Sequence, residues 1–305
     1  MVNYAAFDFG SNSTRILIAS VSNGKIDKII KKHIVTRMAE GTSSSKGISQ
    51  AAIKRVSEAV GIFFENIMTY KVEEVFAIGT SAMRDSVNSI EVKKIIEKDF
   101  GLDIEIISGI DEAKLTLAGA LYGFDKSSSS ILFDIGGGST EVIYSDNQNI
   151  FPRSYQLGVV RITDEVLQSR PIVPKEEKKA MELIDALVSY DEGKYAISDS
   201  TDIIGTSGTF TSLAAISLGL GLHDSTKTHL HTLDKKWLES FYDGLKDLSP
   251  EEINNKYKSL DPGRATTITP GTLIAIQLMK IFKITKIVVS ENDILEGLFL
   301  NKVLN

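Results

Sequence analysis

Asp8-Phe9-Gly10-Ser11-Asn12-Ser13-Thr14 and Asp134-Ile135-Gly136-Gly137-Gly138-Ser139-Thr140 are two versions of one segment, 126 residues apart. In each, an apolar run reads as a buried strand, a cluster of small residues as a turn, and a second apolar run as a strand returning beside the first. The strands so predicted are Tyr4 to Phe9 and Arg15 to Val21 in the first copy, and Ile131 to Asp134 and Thr140 to Tyr144 in the second. The same shift of 126 carries Ile78-Gly79-Thr80-Ser81 onto Ile204-Gly205-Thr206-Ser207. Two matches at one offset indicate an internal duplication.

Working outward, Asn23-Gly24 signals a hairpin into a third strand, about Ile26 to Arg37. Ile53, Val56, Val60, Phe63, Phe64 and Ile67 fall at helical spacing. A strand at Glu74 to Ile78, a helix at Val92 to Phe100, a strand at Ile104 to Ile107 and a helix from about Gly109 to Tyr122 complete the first half. Asp125 to Ser130 reads as a linker, and the pattern then restarts, with extra helices, to a last strand at Lys286 to Val289 and a helix at Asp293 to Leu304. The expectation is an α/β protein of two homologous βββαβα-type domains, 1–123 and 124–305, in which the helix of about 292–304 can pack back on the first domain. By fold-level analogy this is the plan of the actin-like, ribonuclease H-like superfamily that includes sugar kinases, with a ligand cleft between the halves.

The 305 residues suit about two domains. With 42% apolar and 24% charged residues, the composition excludes wholesale disorder and a fibrous chain. Lysine and arginine total 34 against 40 acids, a net charge of −6. That balance argues against nucleic acid or an acidic membrane as a partner. Cysteine is absent, which removes disulfides, thiolate metal sites and a cysteine nucleophile. No basic-then-apolar leader and no ~18-residue apolar run is present, so a cytoplasmic location is expected.

The chemistry concentrates in the repeated segments. Glycines let backbone N–H groups approach phosphate oxygens, so Gly10, Ser11, Asn12 and Ser13 and their counterparts Gly136, Gly137, Gly138 and Ser139 are candidate phosphate loops. Facing each other across a cleft, the two would clamp one phosphate chain. Asp8, Asp134 and Glu141 lie beside the turns, where hard carboxylate oxygens suit Mg²⁺ or Mn²⁺. Asp134 is alternatively a turn-stabilising residue and Glu141 an exposed strand residue. Gly205, Thr206, Ser207, Gly208 and Thr209 end a strand and open a helix, a second kind of anion site or a plain connection. Ser108 is read as a helix N-cap closed by Asp111, which explains Asp111 but not Glu112. Glu112 is then either a solvated first-turn glutamate or a base that activates water. Arg15, Arg37, Arg84 and Arg264 could supply positive charge to a substrate or sit in surface ion pairs. His229 and His231 lack a third ligand and read as loop or surface strand.

Taken together, these segments resemble the exopolyphosphatase / guanosine pentaphosphate phosphatase family. The resemblance rests on Ala6 to Ser13, Thr36-Arg37-Met38-Ala39-Glu40-Gly41, Ile78 to Arg84, Ile106 to Ala113, Asp134 to Glu141 and Gly205 to Thr209, in family order over nearly the whole chain. It implies metal-dependent hydrolysis of a terminal phosphoanhydride, with the family's catalytic glutamate at Glu112 and its metal acids at Asp134 and Glu141. The chain looks like the short two-domain form, and family members are often dimers, so a homodimer is an expectation. Two family arginines are missing, at Lys114 and Leu295, which implies a shorter grip on the phosphate chain.

The reading is an exopolyphosphatase acting on linear inorganic polyphosphate. The same-class rival acts on guanosine pentaphosphate. An actin-fold small-molecule kinase would need an adenine pocket and an acceptor base, and a non-catalytic polyphosphate-binding regulator would keep the loops and lose the base.

Overall fold

The computed structural model describes residues 2–40, 47–124, 129–146, 148–188, 197–198 and 200–304. The chain forms two compact units, Met1–Tyr122 with Asn292–Asn305, and Gly123–Glu291.

The first unit runs β1 (Asn3–Phe9), β2 (Ser13–Ser22), β3 (Lys25–Val35), α1 (Gln50–Thr69), β4 (Val72–Gly79), α2 (Ser81–Asp85), α3 (Ser89–Phe100), β5 (Glu105–Ile106) and α4 (Gly109–Ala120). Its sheet has the order β3-β2-β1-β4-β5. The first three strands form an antiparallel meander, whereas β4 and β5 run parallel to β1. Phe7, Phe9, Ile16 and Ile18 bury one face of the sheet against Val56, Val60 and Phe63 of α1. The edge strand β3 carries Lys25, Lys28, Lys31 and Lys32, which discourages pairing with another chain. It ends at Val35, short of the expected Arg37, because the N–H groups of Thr36 and Arg37 both turn to the Asn12 carbonyl, at 3.0 and 2.9 Å.

The second unit runs β6 (Ser129–Ile135), β7 (Thr140–Asp146), β8 (Ile150–Tyr155), α5 (Val159–Glu165), α6 (Pro174–Leu187), β9 (Asp202–Thr206), α7 (Ser207–Ser217), α8 (Ser225–Thr228), β10 (Thr232–Asp234), α9 (Lys235–Leu245), α10 (Pro250–Lys256), α11 (Ile268–Ile281) and β11 (Lys286–Val289). Its sheet order, β8-β7-β6-β9-β11-β10, repeats the first and adds one edge strand. Adding 126 to the limits of β1, 3 and 9, gives 129 and 135, the limits of β6. Ser129 and Ser130 therefore begin a strand where the sequence suggested linker; the rest of that stretch, 125–128, lies outside the described residues. Both units have the actin-like α/β architecture.

The helix α12 (Ile294–Phe299) completes the first unit, although by sequence order it follows the second. The cause is apolar: Ile294, Leu295, Leu298 and Phe299 close a cluster with Ala6, Leu17 and Ile78 on the face of the sheet opposite α1. α12 also packs backbone to backbone on α4. A Cβ at Gly119 would overlap the Asp293 carbonyl, and one at Gly297 would overlap the Leu115 carbonyl. Only glycine permits that approach.

Candidate active site

Parallel strands β1, β4 and β5 deliver their carboxyl ends to one edge of the first sheet, the edge at which open α/β sheets bind ligands. The connections leaving that edge are tied together: Thr80 N donates to Phe9 O at 3.3 Å and Ile107 N to Gly79 O at 3.1 Å. Asp8, the Gly10–Ser13 turn, Arg84 and Glu112 all follow from these strand ends.

Glu112 lies in the first turn of α4 and is only 8% exposed. Apolarity alone would bury Ile110 instead, but Ile110 is exposed, because α4 turns Ala113, Thr116, Leu117 and Ala120 inward and takes Glu112 with them. Ser108 Oγ accepts from Asp111 N at 3.1 Å and donates to Asp111 Oδ2 at 2.7 Å, so the cap holds Asp111 and leaves Glu112 outside it. Arg84, at the end of α2, donates from Nη1 to Glu112 Oε2 at 2.7 Å and to Ile107 O at 3.3 Å. Arg84 was a candidate for substrate charge; the structure instead gives its guanidinium to Glu112, which it orients. Nothing in the sequence signals a pair 28 residues apart.

The two hairpin turns are built alike. Gly10 N donates to Ser13 O at 3.1 Å, and Gly136 N donates to Ser139 O at 2.9 Å. In the second, Gly136 O and Gly137 O accept from Val159 N and Val160 N, so the opening of α5 pins the carbonyl side of the loop. In the first, Asn12 O and Ser11 O are held by Thr36, Arg37 and Ala39 amides. Arg37 adopts φ +46, and its guanidinium sits 3.8 Å from Glu40 at the surface. Its backbone, rather than its charge, shapes the loop.

The duplicated hairpins differ in what faces each aspartate. Asp8 stands opposite Arg15 in the β1–β2 ladder, and Asp134 stands opposite Glu141 in the β6–β7 ladder. Arg15 Nε donates to Asp8 Oδ2 at 2.7 Å and Nη2 lies 2.5 Å from the same oxygen. Asp8, expected among the metal ligands, thus has a cation of its own chain, and Arg15 is committed to carboxylates rather than to substrate. Asp8 Oδ1 is buried without a hydrogen bond. Burial pushes the Asp8 carboxyl above the usual carboxylate range, with Arg15 pulling the other way.

In the second unit, Asp134 and Glu141 are both buried. Glu141 Oε1 accepts from Ser154 Oγ at 2.8 Å across the β7–β8 ladder. Carboxylates directly opposite each other repel. No cluster of three His, Cys, Asp or Glu side chains able to hold a metal occurs among the described residues. Two carboxylates, with water and substrate oxygens, are nevertheless the protein share Mg²⁺ usually takes. The donor set therefore fits a divalent cation. The carboxyl edge of this sheet also carries the turn from β9 into α7. There Ser207 has φ +68, Thr209 Oγ1 donates to Ile135 O at 3.1 Å, and a Cβ on Gly208 would occupy the Arg264 guanidinium. Arg264 accordingly lies against Gly208 in the first turn of α7. His229 and His231 have separate partners, Glu291 N at 3.3 Å and Ser217 Oγ at 3.2 Å.

With the repeated hairpin loop and the buried Glu112 in place, the chain matches the Ppx/GppA phosphatase family over residues 17–305. It belongs to that family. It is 30% identical to the bifunctional 3-dehydroquinate synthase/phosphatase of Fusobacterium nucleatum, with 99% of this chain and 46% of that protein aligned. It is 27% identical to exopolyphosphatase 2 of Mycobacterium tuberculosis, covering 99% of this chain and 98% of that one. The crystal structure of the Aquifex aeolicus member of the family superposes with a TM-score of 0.81 at 25% identity, covering 99% of this chain and 98% of that chain.

The two departures from the family sequence have different places. Lys114 is exposed and sits 3.7 Å from Asp111. Leu295 is fully buried in the cluster beneath α12. An arginine at 295 would enter the core, so that position bears on packing and not on the grip of a phosphate chain.

Proposed function

We propose that the chain is a metal-dependent exopolyphosphatase that releases terminal orthophosphate from linear inorganic polyphosphate. The observation that carries the reading is Glu112, buried at the carboxyl edge of the first sheet and held by Arg84 at 2.7 Å. A carboxylate so oriented takes the proton of an attacking water and sets the direction of attack. In each unit, the hairpin-turn N–H groups other than those of Gly10 and Gly136, which close the turns on Ser13 O and Ser139 O, would donate to phosphate oxygens, and in the second unit Arg264 at the α7 turn would add positive charge. Asp134 and Glu141 would hold Mg²⁺ or Mn²⁺, which supplies charge neutralisation to the phosphate chain. Phosphoryl transfer depends chiefly on such positioning and electrostatic stabilisation. The choice of polyphosphate is supported by the relative that aligns end to end with this chain, which is named an exopolyphosphatase.

The test is phosphate release from polyphosphate, guanosine pentaphosphate and ATP, measured side by side with Mg²⁺. The expected result is the highest kcat/KM on polyphosphate. Preference for guanosine pentaphosphate would move the chain to the other activity in the family's name, and release from none of the three would overturn the reading.

A further inference from the structure

Asp8 is reached by a chain of charges that begins on α12. Arg15 uses Nε and Nη2 on a single oxygen of Asp8, Oδ2, and sends Nη1 to Asp293 Oδ2 at 2.7 Å. Asp293 caps α12, accepting from Leu295 N at 3.0 Å, and its Oδ2 lies 3.1 Å from Lys31 Nζ. Lys31 reaches Glu296 at 3.0 Å, and Lys28 reaches Glu296 at 2.8 Å. Glu296 closes the capping box on Asp293 N at 2.8 Å. Asp8, Asp293 and Glu296 are all buried.

An arginine alone with a carboxylate tends to engage both oxygens through its fork. Here the third corner of the guanidinium is drawn to Asp293, and Asp8 Oδ1 remains buried with no hydrogen bond at the head of the first loop. We propose that Asp293 is a positioning residue for the hydrolytic site: it keeps Arg15 on one oxygen of Asp8 and so presents the other to the reacting phosphate or its water. The same helix sets Glu112, because α12 lies against α4 through Gly119 and Gly297. One short element therefore packs against the elements that carry Asp8 and Glu112. Burial works against the charge of Asp293, but Arg15, Lys31 and the Leu295 amide outweigh it and hold its carboxyl far below the ordinary range, which agrees with an ionised tether.

The inference rests on the hydrolase reading of this edge. Its test is a double-mutant cycle on the full chain with Mg²⁺ and polyphosphate, below the melting temperature of every variant. Asn caps helices as well as Asp, so Asp293→Asn removes the charge and keeps the cap. The expected result is a kcat lower by at least fivefold with KM within twofold, and Arg15→Gln/Asp293→Asn no worse than Arg15→Gln alone, since the two act in series. A crystal structure of Asp293→Asn should show Arg15 on both oxygens of Asp8. Should that variant not fold, Lys31→Met, one step further out, should lower kcat in the same manner. An Asp293→Asn enzyme within twofold of the parent kcat, or effects that multiply in the double mutant, would overturn the inference while leaving the hydrolase reading in place. A parent chain inactive on polyphosphate, guanosine pentaphosphate and ATP would overturn that reading and this inference with it.

Discussion

Asp134 and Glu141 stand directly opposite one another in the β6–β7 ladder, at the positions that Asp8 and Arg15 occupy in β1–β2. One copy of the duplicated hairpin is self-neutralised and the other pairs two buried acids. The second arrangement sets two carboxylates side by side, the protein share that a divalent cation takes.

Asp134→Asn or Glu141→Gln should raise the Mg²⁺ concentration for half-maximal activity by at least ~10-fold. In chelator the same variants should be more stable than the parent, by up to about 1 kcal/mol, because the cross-strand repulsion is relieved. Metal titrations of phosphate release and urea unfolding in chelator check the two signs. An unchanged titration together with lower stability would mean that the pair is merely structural.

Glu112→Gln keeps shape and hydrogen bonding but cannot accept the proton of water. A fall of ~10²–10⁴-fold in kcat is expected, with polyphosphate binding retained. Turnover within tenfold of the parent would remove Glu112 from the role of base.

Arg84→Ala leaves a mostly buried carboxylate without its guanidinium. We expect about 1–3 kcal/mol of lost stability and a kcat loss. The kcat loss should disappear in the Glu112→Gln background. Urea denaturation and the four-variant kinetic comparison test this, and additive kcat losses would separate Arg84 from Glu112.

Leu295→Arg places a charge among Ala6, Leu17, Ile294 and Phe299. The chain should lose about 3 kcal/mol or more and gain no affinity for polyphosphate. A stable variant with a lower KM would show that the side chain escapes to the substrate.

Asp293 ties stability to pH. Its folded carboxyl is held below the ordinary value of 3.8. Its contribution is therefore present above pH ~3.8 and is lost as pH falls below that, towards its folded value. Asp293→Asn should be less stable than the parent at pH 7, and the gap should begin to narrow below pH ~3.8. Parallel urea curves at pH 7 and pH 3 measure the gap, and a constant difference would assign the effect to packing alone.

Sequence alone was enough for the duplication, the two hairpins with their Gly-rich turns, the strand-to-helix turn at Thr206, and Ser108 as a cap, but not for the short helix α2 that follows Thr80. These are local patterns: strand period, turn residues and capping depend on a few neighbours in the chain. A helix beginning at Asp293 was equally legible, though its capping box was not read there. What it is bound to was not. The partners Arg84 of Glu112, Arg15 of Asp293 and Ser154 of Glu141 lie 28, 278 and 13 residues away, and only sheet register and the docking of α12 bring them together. The burial of Leu295 and Glu112 was likewise decided by the tertiary structure. A side chain's face on a helix is fixed by what packs against it, and that packing is a property of the whole unit.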